Sequence, residues 1–229
     1  VFSNESYVFR TNLLINSNVS KAIFDYKPKR YIYVGTACSF PRSLQLSINS
    51  KPLVEEDQFP ASPESGYGWS KLMGEIDASY LSKEGVTDSV VLCLHNVYGR
   101  YCDYSKKTSQ VIPSLCLKAI KCSDKDKNLE VWGDGSQGRA FIHAKDVVNA
   151  ITLSFEKGQN QGVIQIGPNK CTKINEIAMV LISKILRNPN PLYKEMQCPL
   201  PPTSLPSSRM VIAEKLPVIG VFGSTLSVI

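Results

Sequence analysis

The 229 residues are 43% hydrophobic and 20% charged, enough apolar side chain to build one large domain or two small ones. No apolar run reaches the ~18 residues of a membrane span, and the amino-terminal VFSNESYVFR lacks the basic start and apolar stretch of a secretory leader. The net charge of +6 is spread through KPKR, SKK and KCSDKDK, which favours a solvated basic surface receptive to small anions over a nucleic-acid interface.

Seven cysteines, odd in number and without a C-x-x-C pair, point to reduced thiols in the cytoplasm rather than to a disulfide framework or a metal site. In chain order, residues 12–26 carry apolar side chains at helical spacing and predict an amphipathic helix ended by Pro28. YIYVGT follows as a short strand rich in β-branched and aromatic residues. A loop holds Pro41, Pro52, Pro60 and Pro63, and from Gly66 the segment YGWSKLMGEIDASYLSKEG predicts a helix closed by Gly85. VVLCLH (90–95) reads as a buried strand. This alternation predicts an α/β fold whose parallel sheet is covered on both faces by right-handed crossovers.

Beyond Asn96 a helix is expected over 109–121, then a polar spacer, a short strand LEVW and the extended segment RAFIH. AKDVVNAITLSFEK predicts a strongly amphipathic helix, GVIQIG a strand and KINEIAMVLISKIL a further helix. The remainder contains Pro189, Pro191, Pro199, Pro201, Pro202, Pro206 and Pro217 and shows no clear periodicity.

Three patterns bear on chemistry. Tyr67 and Lys71 in YGWSK stand at i and i+4 of a helix, one turn apart on one face. A cation there favours phenolate over phenol, which would bring the tyrosine toward use as a general acid or base on a sugar hydroxyl. Alone, the pair describes a surface contact far more readily than a catalytic one. Thr36 and Cys38 follow a strand predicted to lie in a parallel sheet, and so fall at its carboxyl edge, where ligands bind in such folds. The Thr36 hydroxyl is placed to share a proton with Tyr67; the Cys38 thiol is either an acid/base or a small packing residue. WGDGSQGR (132–139) contains G-x-G-x-x-G, but the bulky RAFIH after it is no helix start, and Asp134-Gly135 is a tight-turn signal. This glycine run is expected to be a turn that presents Trp132 and Arg139, not a dinucleotide loop.

Taken in order, YIYVGTACSFP, YGWSKLMGE, LHNVYG and VWGDGSQGRAFIHAKDVVNAI resemble the extended short-chain dehydrogenases/reductases, the NAD-dependent epimerase/dehydratase family active on nucleotide sugars, over about residues 8–187. The resemblance is nearest to the fucose synthase and 3,5-epimerase branches. It implies a partial Rossmann-like parallel sheet over 1–96 and a smaller α/β substrate domain, mainly 97–229. It also implies NAD or NADP as cofactor, a GDP- or UDP-sugar as substrate, and a homodimer as assembly, with no nucleic acid, membrane or metal.

By the same resemblance Thr36, Tyr67 and Lys71 match the catalytic triad, and Lys71 also binds the nicotinamide ribose. Asn12 supports the lysine through water, and Cys38 matches an additional acid/base. Asn96 contacts nicotinamide and substrate diphosphate, and Arg139 pairs with the diphosphate. The chain also departs from the pattern. The strand, glycine-rich loop, helix and two β units that open the family fold are not among these residues, and the start corresponds to the family's fourth helix. Gln110 stands where those branches carry a second titrating group, with Lys106 and Lys107 nearby, and LPVIGVFG replaces the family's closing segment. An alternative expectation is therefore an inactive fragment or decayed relative with a structural or interaction role.

Overall fold

A computed structural model describes residues 4–45, 52–105, 108–121, 129–158 and 162–185. Three parallel strands, β1 (Arg30–Thr36), β2 (Asp88–Leu94) and β6 (Gly162–Ile166), form a sheet in the order β1-β2-β6. β2 is central, and its apolar run splits between two faces because successive side chains point to opposite sides of a strand. Val90, Leu92 and Leu94 pack with Ile164, Ile166 and with Val147 and Ala150 of α4 (Ala144–Lys157). Val91 and Cys93 face Tyr33, Phe40, Leu53 and Ala78 of α2 (Gly66–Lys83). This is the doubly covered α/β sheet expected from the alternation of elements. Val97 and Ile142 join the first cluster, so residues on both sides of position 96 share one core.

The start of the sheet is clamped by charge. Arg30 and Asp88 are in register across β1 and β2, with the Arg30 Nε donating to Asp88 at 2.8 Å. Their side chains are only 9% and 16% exposed, and the guanidinium also donates to the Phe155 carbonyl of α4. Removing one partner of so buried a pair costs about 3–5 kcal/mol.

α1 (Glu5–Tyr26) starts earlier than its periodicity suggests. Its first turn is tied down by tertiary contact, the Glu5 carboxylate accepting from the Gly66 backbone N–H at 3.3 Å. LEVW (129–132) is not a strand among the described residues. Leu129 and Val131 are buried with the alternation of a strand, but against α3 (Val111–Lys121) and α5 (Ile174–Ile185), and Lys118 of α3 donates to the Glu130 carbonyl. Apolar alternation was satisfied by helices, so no ladder formed. RAFIH divides into β4 (Gly138–Arg139) and β5 (Phe141–His143). β4 runs antiparallel to β7 (Thr172–Lys173), and β5 runs parallel to β3 (Asn96–Tyr98). The proline-rich carboxyl-terminal stretch, Lys106 and Lys107 lie outside the described residues.

Candidate active site

α2 begins where the sequence provides a cap: the Ser65 hydroxyl accepts from the Gly68 N–H at 3.2 Å. Thr36 ends β1 and caps the 3-10 turn Ala37–Ser39, its Oγ1 accepting from the Cys38 N–H at 3.3 Å. These two starts meet at the carboxyl edge of the sheet. Gly68 packs on the turn so closely that a Cβ would stand 2.3 Å from the Cys38 carbonyl oxygen. The glycine in YGWSK is thus the residue that lets Tyr67 approach Thr36 and Cys38.

The Thr36 side chain interacts with both the Tyr67 phenol and the Cys38 thiol. Cys38 is exposed to solvent, although neighbouring side chains crowd its thiol. Burial among these neighbours raises its pKa, with Glu64 adding to the rise and Thr36 and Arg139 opposing it.

Tyr67 behaves differently from the expectation drawn from its spacing. Burial pushes the phenol well above its ordinary range, Cys38, Glu75 and Cys93 push it further, and Thr36 alone opposes. The Lys71 ammonium lies 4.5 Å above the Tyr33 ring of β1, a cation–π arrangement. Burial lowers the Lys71 pKa, with Glu75 and Cys93 opposing. Sequence spacing identified the shared helical face but not the aromatic ring across from it.

Asn12 of α1 donates from Nδ2 to the Ser70 hydroxyl at 3.0 Å, and Ser70 donates to the Tyr67 carbonyl at 2.8 Å. Asn12 is therefore fastened to the turn between Tyr67 and Lys71. Asn96 donates through its side-chain amide, at 3.2 Å, and through its backbone to the Ala140 carbonyl. It lines a hollow with Gln110, Val111, Ile112, Pro113 and Phe141. Arg139, next to Ala140, donates to the Gly138 carbonyl at 2.8 Å, and its guanidinium interacts with the thiols of Cys171 and Cys38. Trp132 is 70% exposed, with the Lys118 ammonium 5.1 Å from its ring, on the α3 side of the fold.

The glycines of WGDGSQGR form a turn. Gly133 and Gly135 have φ of 76° and 70°, values that L side chains adopt with strain. A Cβ on Gly135 would stand 1.6 Å from the Asn175 Oδ1, because Asn175, at the start of α5, binds the Asp134 and Gly135 carbonyls. The run leads into β4 rather than a helix, so it lacks the helix terminus that a pyrophosphate loop uses.

A model of the NAD dependent epimerase/dehydratase family matches residues 2–167. The chain belongs to that family. Over 181 residues this epimerase/dehydratase chain is 29% identical to GDP-mannose 3,5-epimerase of Arabidopsis thaliana, spanning 79% of its own length and 47% of that protein's. It is 23% identical over 171 residues to GDP-L-fucose synthase of Sinorhizobium fredii, spanning 74% of itself and 54% of the relative. The chain thus covers about half the length of these curated relatives. Solved structures share its fold. A GDP-mannoheptose C4 reductase from Campylobacter jejuni with NADP bound superposes with TM-score 0.76 at 19% identity, over 92% of this chain and 70% of that one. UDP-glucose 4-epimerase from Thermotoga maritima with UDP-glucose does so with TM-score 0.73 at 23% identity, over 90% and 62%.

The epimerase/dehydratase chain has a set of buried groups next to Thr36 and Lys71 that the sequence did not reveal. Glu75, 2% exposed, sits one turn beyond Lys71 and accepts from Ser39 at 3.2 Å and from the Gln58 amide. Its signal was present as a third polar residue at i+4 on the Tyr67–Lys71 face, but a carboxylate at such a spacing is ordinarily solvated. No group of side chains suited to a metal ion occurs among the described residues, and no described helix is long and apolar enough to cross a membrane.

Proposed function

We propose that this chain carries the proton-transfer machinery of an NAD(P)-dependent enzyme that epimerises, reduces or dehydrates a nucleotide sugar. The observation carrying this reading is the convergence of Thr36, Cys38, Tyr67 and Lys71 at the carboxyl edge of β1 and the first turns of α2. The names of relatives that act on GDP-sugars support a GDP-sugar as substrate class, with a UDP-sugar as the other candidate.

The half-buried Tyr67 and Lys71 suit the nicotinamide-ribose end of a dinucleotide, since they combine a donor with a cation one helical turn apart. A bound nicotinamide supplies hydride exchange with the sugar carbon. Tyr67, held protonated by its surroundings, acts as the acid toward a keto oxygen, with Thr36 sharing its hydrogen bond. Cys38, exposed to solvent, exchanges a proton at the carbon next to the ketone, where the carbonyl acidifies the C–H. Arg139 binds the diphosphate through its forked guanidinium, Asn96 holds that segment to β3, and Trp132 offers an exposed ring to the nucleotide. Asn12 steadies the turn carrying Lys71.

Exposed apolar side chains on α1 and α2, including Leu14, Phe24, Met73 and Tyr80, support assembly as a homodimer through these helices. Incubation of the full-length protein with GDP- and UDP-sugars and NAD(P)(H), followed by product identification, tests the reading. A new sugar nucleotide is expected, and unchanged substrate throughout would overturn it.

A further inference from the structure

Beneath the triad lies a buried carboxylate that the proton-transfer scheme does not use. Glu75 is pressed against the backbone of β1, where a Cβ at position 35 would stand 2.6 Å from its Oε1. Gly35 is therefore part of its seat. Ser39 and Gln58 donate to Oε2, the Thr36 backbone N–H also donates to the carboxylate, and the Cys93 thiol is 3.9 Å from Oε1. The turn after β1, the 3-10 turn Glu55–Gln58, β1, β2 and α2 all converge on one side chain. A structure that wanted only packing here would be served by an apolar residue, since burying a carboxylate is costly.

The charged and titratable groups facing it are few. From α2 they are Lys71 and, one turn further, Tyr67; from β1, Tyr33; from β2, Cys93, which in turn feels Glu55. Among the described residues, Lys71 is the cation of this group. Its ammonium lies over the Tyr33 ring and is desolvated there, while Glu75 pulls the other way and favours the charged form.

On the reading of Tyr67 and Lys71 given above, we propose that Glu75 is a positioning residue of the active site, the buried counter-charge one helical turn from Lys71 that keeps it an ammonium over the Tyr33 ring. The coupling is reciprocal: Lys71 favours ionised Glu75 as Glu75 favours charged Lys71. Burial raises the Glu75 pKa to about 7, against the opposing pull of Gln58, Ser39, Thr36 and Lys71, so the counter-charge is itself drawn in or out over the neutral range. A lysine that lost this partner would be a neutral amine at a lower pH and a poorer ligand for a ribose hydroxyl.

The test is trace acetylation of the full-length protein with acetic anhydride across pH, the label on Lys71 quantified by mass spectrometry. In Glu75→Gln the midpoint of Lys71 labelling is expected to fall by about one pH unit relative to wild type. Lysines elsewhere should not move. A second arm holds if that variant fails to fold: in wild-type protein carrying 13C-glutamate, one carboxyl resonance should titrate near neutrality, and in Lys71→Gln its midpoint should rise. An unshifted midpoint in either arm overturns the proposal. Neither readout uses turnover, so absence of activity on every sugar nucleotide would sink the enzymatic reading and leave this coupling standing.

Discussion

Gly68 and Cys38 meet backbone to backbone, with room for a hydrogen and not for a methyl group: a Cβ at position 68 would lie 2.3 Å from the Cys38 carbonyl oxygen. The obstacle is main chain, which cannot rotate aside. Gly68→Ala is therefore expected to destabilise the protein by about 1–3 kcal/mol and to push Tyr67 away from Thr36. Urea unfolding measures the first effect. An unchanged midpoint would show that α2 and the turn after β1 are not so tightly joined.

If Tyr67 is the acid, its hydroxyl matters and its ring does not. Tyr67→Phe in the full-length protein should lower turnover by about 10²–10⁴-fold while thermal unfolding stays near wild type. Turnover within a few-fold of wild type would remove Tyr67 from the chemistry.

Cys38 combines access with a raised pKa, chiefly through burial. At pH 7 its alkylation by iodoacetamide should be slower than that of an unstructured cysteine peptide and should accelerate with pH well into the alkaline range. Arg139 favours the thiolate and Glu64 opposes it, so Arg139→Gln should slow the reaction and Glu64→Gln should speed it. Faster alkylation than the peptide at pH 7, read by mass spectrometry, would contradict this environment.

Two buried groups give stability opposite slopes in acid. Glu75 is raised to about 7 by burial from an unfolded value near ~4.3; between these values the folded state binds the extra proton, so stability falls as pH rises. His95, lowered to about 4 by burial, releases its proton in the folded state first, so its contribution rises from pH 4 to ~6.5. In Glu75→Gln only the first slope vanishes. Its stability relative to wild type should grow from about pH 4.5 to 7 and then level, by roughly 3 kcal/mol in all. A flat difference across that range would mean that Glu75 titrates as it does in water.

The sequence by itself determined the elements and their order. The β1, β2 and β6 segments carry apolar patterns that no solvated chain would keep, and α2, α4 and α5 carry helical periodicity between cap and breaker residues. The Tyr67–Lys71 spacing, the place of Thr36 and Cys38 after a parallel strand, and the turn character of Asp134-Gly135 are local facts, fixed by backbone geometry over a few residues.

Only the tertiary structure decided what each site residue faces. It set Lys71 over the Tyr33 ring, and it paired Arg139 with Thr172 across β4 and β7. It left LEVW without a strand partner and buried Glu75 against Gly35. Each of these depends on contacts between residues far apart in the chain, and burial then reverses the direction in which a side chain titrates. The Tyr67 phenol shows the difference. Its helical position next to a lysine predicts an easier ionisation, whereas desolvation and the acids around it make that ionisation harder.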